Sequence, residues 1–169
     1  MKKTLALLLS ALLLVGLLAG CGGGGNTPED VATQYMKATL DAKGGKTLIG
    51  LMPDAFADAG VKAGVYDSRD EFIQAINDLL APTVEGLEET YGKYKVQVEV
   101  NGVEKWNEED VEDYNHYYQA MWQLDLGVED GADVALTVTI DGEKGSDTEE
   151  TTVSVIQVDG KWCIMGADI

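Results

Sequence analysis

Apolar residues recur at every second position in separate runs through the C-terminal half of the chain, and no other feature limits the fold as much. Tyr94, Val96, Val98 and Val100 face one way from a strand, with Lys95, Gln97 and Glu99 facing the other. Val134, Leu136, Val138 and Ile140 repeat the pattern. In residues 151–158 the inward set shifts from Val153 and Val155 to Ile156 and Val158, a phase slip that predicts a bulge. Asn101-Gly102 and Asp159-Gly160 are each suited to a tight turn. The first would return the strand through Val103 toward Trp106, and the second would lead into a last strand over residues 161–165.

Helical signals occupy the remainder. Thr27-Pro28-Glu29-Asp30 reads as an N-cap, a proline in the first turn and acids on the positive dipole end, with Val31, Tyr35 and Ala38 on one face. That helix stops at Gly44-Gly45, and residues 47–56 form a short helix broken and restarted at Pro53. Ser68 to Glu71 spells a capping box ahead of an apolar stripe of Phe72, Ile73, Ile76, Leu79 and Leu80, with Pro82 ending or kinking the helix. Residues 107–123 return to helix behind an Asn107 cap. Helices, a hairpin, a helix and a three-stranded meander make an α+β chain. A curved antiparallel sheet would be covered by the N-terminal helices on one face.

The first 26 residues stand apart from this pattern. Lys2 and Lys3 precede an apolar run over residues 5–18, which ends in Leu18-Ala19-Gly20-Cys21. These are the parts of a secretion signal, and the run is shorter than the roughly 20 residues of a spanning helix. Leu-Ala-Gly-Cys resembles the lipobox of bacterial lipoproteins. The resemblance implies cleavage after residue 20, a lipid thioether on Cys21, and a lipid-anchored protein on the extracytoplasmic face of the cell membrane. An ordinary secretory signal with an incidental Cys21 is the alternative. Gly22 to Gly25 then form a tether of roughly 14 Å at most. The expected organisation is a signal over residues 1–20, lipidated Cys and tether over 21–26, and a single α+β domain over 27–169.

Lipidation would consume Cys21 and leave Cys163 alone, as a small core residue without a disulfide. A Cys21–Cys163 bridge is the competing reading, disfavoured because one cysteine lies in a flexible leader and the other in a strand. Loss of Lys2 and Lys3 with the leader leaves 10 of the 12 basic residues against 30 acidic ones. Such a surface repels polyanions, so nucleic acid is excluded as a partner.

The element order, closed by the Val155-Ile156-Gln157-Val158-Asp159-Gly160-Lys161-Trp162 hairpin, resembles the cystatin-like or nuclear transport factor 2-like fold. It resembles in particular small lipoproteins of low-GC Gram-positive bacteria. The resemblance implies either a non-catalytic ligand- or protein-binding module of the cell envelope or a small cavity enzyme of the isomerase or dehydratase type. A cavity enzyme would need an inward carboxylate, and every Asp that can be placed falls at a cap, a turn or a polar face. His116 falls on the side of Glu112 and Asp113, away from Tyr114 and Tyr118, as a surface residue. Tyr114 and Tyr118 share a core stripe with Val111 and Met121, while Trp106, Tyr117, Tyr118 and Trp122 are the candidate ligand or partner surface. The acidic clusters at 108–113 and 141–150 match no calcium loop and read as helix capping and a solvated hairpin end. No catalytic residue, metal site or cofactor is assigned. The expected partners are the membrane, through the lipid on Cys21, and an envelope protein or small ligand.

Overall fold

The computed structural model describes residues 27–164, with the side chain of Trp122 outside the described set. Cys21, the tether and residues 165–169 also lie outside it.

Thr27 accepts the Asp30 N–H at 3.3 Å and opens α1 (Pro28–Thr39), which buries Val31, Tyr35 and Ala38 as its spacing predicts. Pro53 separates α2 (Gly45–Gly50) from α3 (Asp54–Lys62), its carbonyl accepting the N–H groups of Phe56 and Ala57. Ser68 caps α4 (Arg69–Tyr91) through the Glu71 N–H. The Glu71 carboxylate completes no capping box with Ser68 and instead accepts the Asp67 N–H. Pro82 does not end α4, because Val84, Leu87 and Tyr91 beyond it are buried and hold the last turns in place.

Among the described residues four strands form one antiparallel sheet in the order β1-β2-β3-β4: β1 (Tyr94–Lys105), β2 (Val128–Gly142), β3 (Gly145–Val158) and β4 (Lys161–Ile164). The α+β class and the antiparallel sheet thus agree with the sequence pattern. The Asn101-Gly102 hairpin does not form. Neither residue has positive φ, and β1 runs straight through to pair Val103 with Val134 and Lys105 with Ala132. Asn101 is bulged out of the ladder, and its amide donates to the Thr137 hydroxyl at 2.8 Å. The chain reverses through helix α5 (Glu108–Trp122) instead. Asp159-Gly160 does turn as expected, with φ of 51° and 70°.

The main core lies between helices α1, α2 and α4 and one sheet face, where Ala132, Val134, Leu136, Val138 and Ile140 are fully buried. The expected bulge in β3 is absent at Val155/Ile156, whose pairing to β2 and β4 is regular. Val155 belongs to the main core, and Ile156, one residue on, belongs to a second cluster with Leu126, Val128 and Cys163. Consecutive strand residues face opposite ways, so both faces are dry at this end. The actual irregularity is in β2, between Val128 and Asp130. Helix α5 supplies the cover for the second face with Val111, Tyr114 and Tyr118, so the helices do not all lie on one side. Trp162 shares its face with Ile164 and is half-buried against the main core. Among the described residues no helix is long and apolar enough to cross a membrane.

Candidate functional site

The start of α5 is fixed by a capping box. Asn107 Oδ1 accepts the N–H groups of Glu109 and Asp110 at 2.8 and 3.1 Å, and Asp110 Oδ2 accepts the Asn107 N–H at 3.1 Å. One residue earlier the Trp106 N–H donates to the Gly131 carbonyl at 2.9 Å, and its ring lies over Gly131. Further along, the Asn115 amide replaces a strand partner: it donates to the Val128 carbonyl at 3.0 Å and accepts the Val128 N–H at 2.9 Å. Two anchors thereby set the helix against the sheet.

Between them the aromatic rings form a chain. Trp106 and Tyr114 have centroids 5.1 Å apart, Tyr114 and Tyr118 4.9 Å, and Tyr118 and Tyr117 5.5 Å in an edge-to-face contact. Trp106, Tyr118 and Tyr117 are therefore brought together, through Tyr114. Tyr114 and Tyr118 are half-buried, and Met121, expected beside them in the core stripe, is 63% exposed because the stripe narrows to the residues that reach the sheet. Tyr117 is 54% exposed. The side chain of Trp122 lies outside the described set. His116 is exposed, as its helical position predicts.

Beside these rings is an open cleft of about 330 Å³, lined by Trp106, Tyr114, Asp110, Asp113 and Asp133. Asp133 reaches it from β2 and accepts the Ser154 hydroxyl at 2.6 Å. Aromatic faces beside carboxylates suit a positively charged group, which gains from both the ring quadrupole and the acids. Among the described residues no group of three or more His, Cys, Asp or Glu side chains is arranged to hold a metal ion.

Two features were not found by sequence reasoning. The first is Asp147, expected at a solvated hairpin end but only 7% exposed, with the phenol of fully buried Tyr91 donating to it at 3.5 Å. It pairs with Ile140 in the ladder and so shares the inward face. Desolvation, followed by the Asp147 charge and hydrogen bond, pushes the Tyr91 phenol up from its ordinary value. The second is a larger cleft, about 610 Å³, where α1, α2, α3, α4 and β4 converge. Its lining includes Lys46, Arg69 and Lys161. Arg69 Nη2 donates to Asp54 at 2.8 Å and its Nε to Asp58 at 2.9 Å, and these bonds, Asp54 first, push the guanidinium further up.

Cys163 is fully buried on β4 as expected, but the expectation that it stays unbridged is not met: its sulfur is in a disulfide. The one other cysteine in the sequence is Cys21, outside the described residues.

No family model matches this chain, and neither a curated protein nor a solved structure is significantly similar to it.

Proposed function

We propose that this chain is a lipid-anchored lipoprotein on the extracytoplasmic face of the cell membrane, acting as a non-catalytic ligand- or protein-binding module of the envelope. In this reading its α+β fold is of the cystatin-like or nuclear transport factor 2-like type. One observation carries the binding role: the ring chain from Trp106 to Tyr117 stands half-open beside a cleft with three carboxylates. A partner presenting a cationic group on an apolar body would meet complementary chemistry there. The lipobox-like Leu18-Ala19-Gly20-Cys21 and the glycine tether support the anchor.

A thioether and a disulfide are alternative fates for the Cys21 sulfur. A Cys21 sulfur in a thioether cannot also bridge Cys163. Expression in a bacterial host, detergent-phase partition and non-reducing peptide mass mapping test this. The expected result is a detergent-phase protein beginning at a diacylglyceryl-modified Cys21, and a Cys21→Ser variant that is unprocessed or released. A Cys21–Cys163 linked peptide in the mature protein, or the variant in the membrane at normal mature mass, overturns it.

A cavity enzyme of isomerase or dehydratase type is the second reading, favoured by the inward Asp147 with Tyr91. Such an enzyme needs its carboxylate open to a substrate cavity. Asp147 lines neither of the clefts described above.

A further inference from the structure

We propose that the aromatic cleft takes a small linear polyamine, its ammonium groups shared among Asp110, Asp113 and Asp133 and its methylene spacers lying against Trp106 and Tyr114. Such a ligand is a narrower case of the cationic partner read from this cleft above, and it depends on that reading. Charge does the narrowing. Asp110 and Asp113 stand one turn apart on α5, and Asp133 enters from β2. Asp110 accepts the Asn107 N–H and Asp133 the Ser154 hydroxyl, but both donors are neutral, so neither bond cancels a charge. The ion pairs among the described residues engage other acids, namely Asp54, Asp58 and Asp130. A ligand with a single ammonium would leave two carboxylates of the cleft uncompensated.

The surrounding chain does not supply the missing cations. Residues 106–143, which span α5 and β2, contain no lysine or arginine. Lys105 is next in sequence, but it bonds Asp130 and lies over the Trp162 ring, and its pairing with Ala132 puts it on the main-core face of the sheet. Asp133 is on the other face, where its partner across the ladder is Glu104, a further acid. Like charges set directly opposite each other on a sheet repel, so a bound polycation relieves a repulsion built into the fold. The cleft, about 330 Å³, is at the lower end of small-molecule sites and suits a short chain better than a protein segment. Its walls are set in place: the indole of Trp106 fills the Cβ position of Gly131, and Tyr114 stands 5.1 Å from it. Ammonium groups gain from the rings and the acids together. Carboxylates also accept N–H bonds, which primary and secondary ammonium groups offer and a quaternary one does not.

The test uses the whole protein in non-ionic detergent at physiological salt, where exposed charges more than about 8 Å apart are screened and diffuse attraction to an acidic surface is weak. Calorimetry, with amide and indole chemical shifts, would follow titration with spermidine, putrescine, hexylamine and a dilysine peptide. Spermidine should bind saturably, shift Trp106, Asp113 and Asp133, and bind at least about tenfold tighter than hexylamine, with putrescine between them. Asp113→Asn/Asp133→Asn, checked for unchanged melting, should lose at least about tenfold in spermidine affinity. Asp110 is spared because it caps α5. Glu85→Gln/Glu89→Gln removes the same charge from exposed positions on α4 and should bind like the parent. The ligand series on the parent protein decides even where a variant fails to fold. Hexylamine matching spermidine, or the dilysine peptide exceeding it, overturns the polyamine and leaves a cation-binding cleft in place. Equal losses from the two double variants overturn it as diffuse attraction. No shift at the cleft with any of the four ligands overturns both the polyamine and the cationic-partner reading.

Discussion

Gly131 does not have positive φ, so its backbone does not demand glycine; the Trp106 ring does, because a Cβ added there would fall inside the indole. Gly131→Ala must displace the ring from its seat, and overpacking of this kind costs about 1–3 kcal/mol. Gly102, in the adjacent strand, has nothing within 4 Å of an added Cβ. Gly102→Ala should therefore be neutral or slightly stabilising, since it removes unfolded-state freedom. Urea melts with tryptophan fluorescence compare the two. A Gly131→Ala variant as stable as Gly102→Ala would mean that the indole does not rest on the sheet. At this scale the candidate site was partly legible. The aromatic concentration around α5 pointed to Trp106, Tyr117 and Tyr118, but Asp133 arrives from another strand, which no local pattern reports. Asp147 was legible in principle. Extending the odd-numbered inward set of Val153 and Val155 back along β3 reaches it, and the surrounding run of acids obscured that parity.

Helix α5 shows how a local turn signal can lose to tertiary pairing. Asn101-Gly102 has the right residues for a hairpin, yet continued pairing with β2 through Lys105–Ala132 outweighs a turn that would have left Val134 and its neighbours paired on the β3 side alone. The capped helices and the alternating strands were readable because each depends on its own residues. The second apolar face was not, because it exists only where α5 crosses the sheet. That misled the reading of Ile156 as a slipped phase. Asn115 is the element-scale clasp, meeting both hydrogen-bonding groups of Val128 where β2 has its irregularity. Asn115→Ala leaves those groups without their side-chain partner and should cost about 1–3 kcal/mol. Amide hydrogen exchange gives the location: Val128 and residues of α5 should exchange faster while Leu136 and Val138 change only with global stability. Unchanged protection at Val128 would show that the clasp is dispensable.

At the scale of the whole molecule, buried phenols couple the fold to pH. Burial pushes Tyr35 up to about 12, burial then Asp147 raise Tyr91, and burial then Glu88 and Asp41 raise Tyr94. For Tyr35 the unfolded chain loses its proton near 10 and the folded one near 12. Its contribution is therefore complete below the unfolded value and is lost as pH rises through this window. Within that window the slope from Tyr35 is about 1.4 kcal/mol per pH unit. Urea midpoints should fall from about pH 10 upward, and Tyr35→Phe should flatten the fall relative to its own neutral-pH midpoint. A midpoint unchanged at high pH would remove the coupling. The bulge at Asn101 has a different consequence, for copies of the protein crowded together. Edge strand β1 is long enough to act as one side of a zip fastener, but an incoming strand in step with residues 94–100 meets a displaced tooth at Asn101 and is out of step beyond it. Neighbouring molecules can therefore touch along that edge without fastening into a continuous ribbon.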